Sequence, residues 1–197
     1  MNFKGISYEL VPVNLLKSDQ KTSDHLQRNP QGLVPSIEHN GKFLSQSLAI
    51  IEYLEELFPS PSLLPKQPLK RAEVRALSQI VACDTQPVQN LRVLNYVVHE
   101  LYKSPKEKLK WGHHFIKLGF DALELKIQQT AGTYAYGGNF SLIDVCLIPQ
   151  VYNALRFGID LENYPVIKRV YSNCLKLSAV DRARPEVQKD CPEELRN

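Results

Sequence analysis

The feature that most constrains the fold is a tight turn followed at once by an amphipathic segment, within NPQGLVPSIEHNGKFLSQSLAIIEYL. Asn40-Gly41 is the strongest signal for a two-residue β-hairpin turn, because both residues tolerate positive φ. We therefore predict one strand over Ser36–His39 and a second over Lys42–Ser45. The apolar residues that follow recur at helical spacing, which predicts a helix with one buried face.

The junction between the second strand and this helix is a candidate anion site. We predict Ser45 as the N-cap, and Gln46 and Ser47 add side-chain donors. A helix N-terminus presents free backbone N–H groups and the positive end of the helix dipole, so it favours a carboxylate. The same residues could serve only to cap the helix. Pro35 alone does not indicate a cis peptide bond either, since few X–Pro bonds in folded proteins are cis.

The segment VPSIEHNGKFLSQSLAIIEYLEE resembles the glutathione-binding core of soluble glutathione transferases. Its QSLAIIEYLEE part is similar to the zeta class, the maleylacetoacetate isomerases. The resemblance implies that Val34 pairs its backbone with the cysteinyl part of glutathione, next to a cis Pro35. It implies that Gln46 and Ser47 hold the γ-glutamyl carboxylate. It also implies glutathione as the cofactor and places Gln20 beside it.

The composition excludes several classes of protein. The chain has 197 residues, of which 43% are hydrophobic and 23% charged, as in an ordinary globular protein. It has no apolar run of the ~20 residues that span a membrane and no signal-peptide core, so we expect a cytoplasmic protein. A net charge of +3 is too small to indicate nucleic-acid binding. The four cysteines are scattered, so we expect reduced thiols and no metal site.

A proline-rich linker at residues 59–65 separates two expected domains. Residues 1–58 contain a predicted strand at Ile6–Val11, a short helix at Ser23–Arg28, the hairpin and its helix. Residues 66–197 are predicted to be all-helical. The resemblance implies a glutathione transferase fold, with an α/β thioredoxin-like N-terminal domain and an all-α C-terminal domain.

In the family, a further strand and helix precede the segment that begins at Lys4-Gly5, and the turn between them carries a serine/cysteine motif that activates the glutathione thiol. The sequence lacks that strand, helix and motif. The thioredoxin-like domain is therefore expected to be incomplete, and the catalytic residue is unknown. An incomplete sheet would leave strand edges unpaired.

Apolar residues at helical spacing predict a long helix from Lys70 to Val98, kinked at Pro87. A second helix is predicted from Pro105 to Gln129, and a third from Tyr164-Pro165 to Leu177. The stripe of the second helix that we expect to be buried is Leu109, Ile116, Phe120, Leu123 and Ile127.

Between these helices, Ser141 and Asp144 form a capping box, which predicts the start of a buried core helix that ends at Arg156. His113 and His114 are adjacent in the second predicted helix and therefore point in different directions. We interpret them as surface or packing residues rather than as ligands of one metal.

The segment ACDTQPVQNLRVL is also similar to the zeta class, and the resemblance implies glutathione contacts at Gln86 and at Asn90, Leu91 and Arg92. Leu91 could equally be a core residue and Arg92 a surface one. For Arg156 the resemblance implies an anchor for a diacid substrate. A cation at a helix C-terminus also complements the dipole, so the sequence leaves both functions open.

By resemblance, the function is glutathione-dependent isomerisation of maleylacetoacetate to fumarylacetoacetate, in phenylalanine and tyrosine breakdown. The resemblance further implies a homodimer and activity on small α-halo acids. The alternative hypothesis is a catalytically inactive form that acts as a dimerisation or binding module, because the serine/cysteine motif is not found in the sequence.

Overall fold

The computed structural model describes residues 1–193. The chain forms two compact units. The first consists of Met1–Ser62 together with the residues from Ala179 onward, and the second consists of Leu63–Ser178. No helix in the described part is both long enough and apolar enough to cross a membrane. The domain boundaries predicted from the sequence stay a prediction, and the last four residues of the predicted C-terminal domain lie outside the described residues.

The first unit is built around the predicted hairpin. Its main elements are helix α1 (Ser23–Arg28), strand β1 (Ser36–His39), strand β2 (Lys42–Ser45) and helix α2 (Ser47–Leu57). The strands pair antiparallel, and the turn residues Asn40 and Gly41 have φ angles of 52° and 73°. The predictions of α1 and of the hairpin are confirmed.

The strand predicted at Ile6–Val11 is wrong. These residues have no regular secondary structure, and Leu10 and Val11 are 52% and 61% exposed. The alternation of apolar and polar residues matched a strand, but a strand also needs a neighbour to satisfy its backbone N–H and C=O groups. Within residues 1–193 the only sheet is the pair of β1 and β2.

The prediction that Ser45 caps α2 is also wrong, by one residue. Ser45 remains in β2, where it pairs with Ser36 of β1. The N-cap is Gln46, which has a φ of 74° and makes no side-chain capping hydrogen bond. The strand thus has its predicted bounds, and the helix begins one residue later than the capping preference of serine suggested.

The second unit is helical. Its helices are α3 (Pro68–Gln79), α4 (Leu91–His99), α5 (Pro105–Ile127), α6 (Leu142–Arg156) and α7 (Pro165–Cys174). A short helix α8 (Ser178–Asp181) begins at the last residue of this unit, and its other residues belong to the first unit. The long helix predicted from Lys70 to Val98 is interrupted by a π-helical turn at Ile80–Thr85 and a 3-10 turn at Pro87–Gln89. The predicted kink at Pro87 is thus present, but it separates two helices.

The core of the second unit lies among α3, α5, α6 and α7. Of the stripe predicted on α5, the side chains of Ile116, Phe120, Leu123 and Ile127 are buried. Leu109 is 51% exposed, so the prediction that it packs inward is wrong. Periodicity identified the correct face of the helix, but Leu109 lies near its start, where it lines an open groove together with Phe157, the residue that follows α6.

The predicted capping box at the start of α6 is confirmed. The Asp144 carboxylate accepts a hydrogen bond from the backbone N–H of Ser141 at 2.8 Å and another from the Ser141 hydroxyl at 2.9 Å. Its second oxygen accepts from the N–H of Ala135 at 2.8 Å. Burial raises the pKa of the Asp144 carboxyl, whereas these hydrogen bonds favour its charged form.

A buried ion pair fixes the start of the first unit to the end of α2. Lys4 Nζ lies 2.6 Å from Glu55 Oε2, and the two side chains are 2% and 10% exposed. The ammonium also donates to the carbonyls of Phe58 and Pro61, at 2.6 and 2.8 Å. Ser62 donates to the other oxygen of Glu55 at 2.5 Å. Each charge is therefore both paired and hydrogen-bonded, as burial requires.

We expect Lys4→Met to lower the free energy of unfolding by about 3–5 kcal/mol, because it leaves the Glu55 carboxylate buried without its cation. Urea unfolding followed by circular dichroism measures the change. The double variant K4M/E55M should recover much of the loss, and Lys17→Met, at an exposed lysine, should change little. A K4M protein within about 1 kcal/mol of the original chain would show that the pair does not hold this unit together.

Candidate functional site

The N-terminus of α2 has the geometry of an anion site. No side chain caps its first turn, and the first N–H groups of a helix have no partner within it. Ser47 is exposed at the first helical position. The Gln46 amide donates to Gln31 Oε1 at 2.8 Å, which holds the Gln46 side chain beside the preceding loop.

The loop before β1 presents an unpaired stretch of backbone. The Val34-Pro35 peptide bond is cis. The Leu33 carbonyl lies 2.8 Å from Asn29 Nδ2 and 3.0 Å from His25 Nε2, and both of these side chains are buried. Val34 itself is exposed, and its N–H and C=O make no hydrogen bond within the described residues. The loop is thus held in place through the Leu33 carbonyl, while the backbone N–H and C=O of Val34 remain available to a ligand.

Gln20 lies beside the same loop. Gly32 has a φ of 60°, and a Cβ built there would lie 3.1 Å from the backbone oxygen of Gln20. Gln20 Oε1 is buried, and no group in the described part of the chain donates to it. The first unit therefore brings together three of the sequence-predicted positions, namely Gln20, the Val34-Pro35 segment and Gln46.

The second unit holds the other predicted contacts. Gln86 is exposed directly after the π-helical turn, and its N–H bonds to the Val81 carbonyl at 2.8 Å. The Asn90 side chain caps α4 by accepting from the N–H groups of Arg92 and Val93, at 3.1 and 3.3 Å. Leu91 is half-buried and Arg92 is exposed, so Leu91 is not a fully buried core residue.

A buried amide network joins this turn to α6. The Gln89 amide donates to Gln150 Oε1 at 3.1 Å, and Asn153 Nδ2 donates to Gln89 Oε1. Gln89 and Gln150 are each 2% exposed. Asn153 lies one helical turn before Arg156, which is exposed at the last position of α6. The network therefore ties the turn between Gln86 and Asn90 to the end of α6 that carries Arg156.

Comparison with known proteins identifies the family. Residues 1–56 match the family described as "Glutathione S-transferase, N-terminal domain". Maleylacetoacetate isomerase of Mus musculus is 45% identical over 195 residues, which cover 98% of this chain and 88% of the mouse protein.

The chain belongs to the zeta class of glutathione transferases. The holo structure of maleylpyruvate isomerase, a bacterial enzyme of this class, superposes with a TM-score of 0.94 at 39% identity, covering 97% of this chain and 91% of that one. Maleylacetoacetate isomerase of Methylobacterium extorquens, solved with malonate and glutathione bound, gives 0.93 at 39% identity, with the same coverage of 97% and 91%.

These comparisons confirm the predicted fold class. The first unit contains the thioredoxin-like domain of a glutathione transferase, here with a two-stranded sheet in the described residues. The second unit carries the helical part of that fold. They also confirm the predicted membership of the zeta class.

Five polar residues that support the predicted site of this zeta-class chain were not predicted from the sequence; four are buried and Asn153 is partly buried. They are His25, Asn29, Gln89, Gln150 and Asn153. Gln89 and Gln150 are polar residues among apolar neighbours, which is the one signal that the sequence offered. The two residues are 61 positions apart along the chain, so the hydrogen bond between them could not be predicted.

Two of the cysteines, Cys146 and Cys174, do not supply a reactive thiolate. Burial raises the pKa of the Cys146 thiol to about 12 and raises that of Cys174 as well. A thiolate is the nucleophilic form of cysteine, so these two thiols are inert near neutral pH. No group of three His, Cys, Asp or Glu side chains in residues 1–193 is arranged to hold a metal ion.

We expect Gln89→Leu to lower the free energy of unfolding by about 2 kcal/mol, because it leaves the Gln150 oxygen and the Asn153 amide without their partner. Thermal and urea unfolding of the variant measure the loss. Gln129→Leu, at an exposed glutamine just beyond α5, is the matched control and should change stability by less than about 0.5 kcal/mol. Equal stabilities of the two variants would contradict the role of this network.

Proposed function

We propose that the chain catalyses glutathione-dependent cis–trans isomerisation of maleylacetoacetate to fumarylacetoacetate, in phenylalanine and tyrosine breakdown. The observation that carries this proposal is the 45% identity to mouse maleylacetoacetate isomerase over 98% of the chain. The unpaired backbone at Val34 and the uncapped start of α2 are the two features of the site that suit glutathione as the cofactor.

The residues of the first unit fit the parts of glutathione in turn. The Val34 backbone offers one N–H and one C=O, the pair of groups that a peptide such as glutathione takes up in an antiparallel pairing. Gln46, Ser47 and the free N–H groups of α2 suit its γ-glutamyl carboxylate. The buried Oε1 of Gln20 is an acceptor still available for a donor group.

In the second unit, Gln86, Asn90, Leu91 and Arg92 are the residues proposed to contact glutathione. Bound glutathione supplies the thiol nucleophile, which the described cysteines with raised pKa values do not. The protein's own part is to hold the peptide extended, to neutralise its carboxylate and to orient the substrate. Asn90 already caps α4 with its side chain, so its proposed contact is made through the backbone or the remaining amide donors.

Arg156 is the proposed anchor of the diacid substrate. It is exposed, it has no ion pair in the described chain, and it lies at the last position of α6. The isomerase of Methylobacterium extorquens was solved with malonate, a diacid, together with glutathione. A guanidinium binds a carboxylate through two parallel hydrogen bonds, which gives both charge and orientation.

The proposal extends to the setting in which the enzyme works. A homodimer, a cytoplasmic location and activity on small α-halo acids complete the proposed function. They rest on the resemblance to the zeta class. Size-exclusion chromatography with light scattering tests the dimer, and chloride release from dichloroacetate in the presence of glutathione tests the halo-acid activity.

The deciding experiment is an isomerase assay with the purified chain, maleylacetoacetate and glutathione, followed by separation of the cis and trans products. Turnover that requires glutathione would support the proposed reaction. Binding of glutathione without turnover would support the alternative, an inactive binding or dimerisation module. Maleylpyruvate belongs in the same assay, because a maleylpyruvate isomerase gives a TM-score of 0.94 with this chain.

We expect Ser47→Ala to weaken glutathione binding about tenfold or more, because it removes one hydrogen bond to a carboxylate. Isothermal titration with glutathione measures the dissociation constant. Ser45→Ala is the control, since Ser45 lies two residues earlier within β2. A dissociation constant that S47A leaves unchanged would restrict Ser47 to a role in starting the helix.

Arg156→Ala should raise the KM for maleylacetoacetate about tenfold or more while leaving the glutathione dissociation constant unchanged. Steady-state kinetics at saturating glutathione separate the two effects. Arg156→Lys should recover only part of the loss, since lysine keeps the charge but not the planar pair of donors. Arg182→Ala, at an exposed arginine elsewhere, should behave as the original chain does. An unchanged KM in R156A would leave Arg156 only its role at the helix C-terminus.

A further inference from the structure

Three consecutive residues of α5, Trp111, Gly112 and His113, contact two separate segments of the second unit. The first segment is the turn that carries the proposed glutathione contacts. The second is the end of α6, which carries the proposed substrate anchor. The three residues are not themselves proposed contacts of glutathione or substrate. They belong instead to the layer that supports both parts of the site.

Trp111 holds the turn. Its indole N–H donates to the Val88 carbonyl at 2.8 Å, and its ring centroid lies 5.0 Å from that of Phe115. An indole N–H can only donate, and removing it from water costs free energy unless it finds an acceptor. The hydrogen bond therefore fixes the backbone of the turn two residues before Asn90.

Gly112 and His113 hold Phe157, the residue that follows α6. A Cβ at Gly112 would lie 2.2 Å from Phe157 Cε1, so glycine lets this ring lie against the backbone of α5. His113 Nδ1 lies 3.0 Å from the Phe157 carbonyl oxygen. A carbonyl can only accept, so Nδ1 carries the hydrogen. Phe157 is thus held through both its ring and its backbone.

These contacts restrict the position of Arg156. Arg156 directly precedes Phe157, so holding Phe157 also limits the direction of the Cα–Cβ bond of Arg156. Asn153 lies one helical turn earlier and donates to Gln89 Oε1. The end of α6 is therefore held on both sides of the anchor. A guanidinium on a fixed backbone loses less freedom when it binds a carboxylate, which favours affinity.

We propose that Trp111 and His113 are positioning residues for the isomerase reaction. Trp111 sets the position of the turn that contacts glutathione. His113, together with Gly112, sets the position of the Arg156 guanidinium. Because the three residues are consecutive on one helix, both parts of the site share a single support. This inference rests on the proposed function.

A shared support matters for this reaction because the glutathione thiol has to reach a double bond of the substrate that Arg156 holds. The glutathione contacts and the anchor must therefore keep a fixed separation. A displacement of about 1 Å can lower the rate of such a reaction roughly a hundredfold.

Isothermal titration with two ligands separates the parts of the site. Glutathione probes the residues that hold the tripeptide, and S-(1,2-dicarboxyethyl)glutathione carries the same tripeptide with a diacid on its sulfur. The ratio of the two dissociation constants reports the contribution of the diacid, whether or not the chain turns substrate over. We expect the conjugate to bind about tenfold more tightly than glutathione, and Arg156→Ala to abolish that preference.

His113→Phe should reduce the preference for the conjugate about threefold to fivefold and leave the dissociation constant of glutathione unchanged. His113→Asn should restore most of the preference, because the asparagine amide can donate from the place of Nδ1. The matched control is His114→Phe, the same change at the exposed neighbouring histidine, which should bind both ligands as the original chain does.

Trp111→Phe removes the indole N–H and keeps an aromatic ring. Both ligands should bind about threefold to fivefold more weakly, while the ratio of their dissociation constants stays the same. A glutathione dissociation constant that W111F leaves unchanged would overturn the role assigned to Trp111. Titration calorimetry suits this variant because Trp111 is the single tryptophan of the chain.

The double variant H113F/R156A distinguishes positioning from a general structural role. If His113 acts through Arg156, His113→Phe should have no further effect once the guanidinium is gone. A loss of equal size with and without Arg156 would overturn the proposal. Circular dichroism and thermal unfolding confirm that each variant is folded.

The remaining outcomes separate this inference from the proposed function. A preference for the conjugate that R156A lowers and H113F leaves unchanged would overturn the role of His113 while the proposed function stands. If R156A leaves the preference unchanged, or if the original chain does not bind glutathione, the proposed function fails and this inference fails with it.

Discussion

The second unit depends on the hydrogen bonds that the buried carboxylate of Asp144 accepts. This carboxylate has no exposed surface, and it accepts hydrogen bonds from the backbone of Ala135 and from both donors of Ser141. The Cys174 thiol of α7 lies 3.9 Å from it. One buried group thus starts α6, closes the loop before it and contacts the next helix. A buried charge is tolerated only where hydrogen bonds replace the lost water.

From that fixed start, α6 positions three polar residues that lie beyond its first turn. Gln150 and Asn153 follow at positions that meet Gln89, and Arg156 ends the helix. At 1.5 Å per residue, Arg156 lies roughly 18 Å along the helix from Asp144. A helix held at one end by a buried cap can fix the position of a cation at its other end better than a loop would.

The sequence predicted those parts of the fold that depend on local chemistry. The Asn40-Gly41 turn, the capping box at Ser141 and the bounds of α1 follow from residues a few positions apart. The predictions from the sequence failed where the structure of a segment depends on residues far away along the chain. The segment at Ile6–Val11 alternates as a strand does, but no strand in the described chain pairs with it.

Leu109 shows the same limit on a helix, because periodicity assigns a face but cannot say where the covering helix ends. The resemblance supplied Gln86 and Asn90 as site positions, whereas Gln89 between them was missed. Its role exists only through partners on α6, which no local pattern reveals.

The interruption between α3 and α4 explains why the polar residues of this turn can serve two purposes. In the π-helical turn, Thr85 is buried and donates to the Ile80 carbonyl at 2.7 Å. A Cβ at Gly119 of α5 would lie 2.0 Å from the Thr85 hydroxyl oxygen, so glycine permits the two helices to touch there. Close packing at Thr85 anchors the turn, and Pro87 then prevents a regular continuation of the helix.

The chain can therefore direct Gln89 inward to α6 while Gln86 and Arg92 remain exposed. In a continuous α-helix the directions of these side chains would be set by a single period of 3.6 residues. The π-helical turn and the 3-10 turn each change that period, so Gln89 can point away from Gln86 and Arg92.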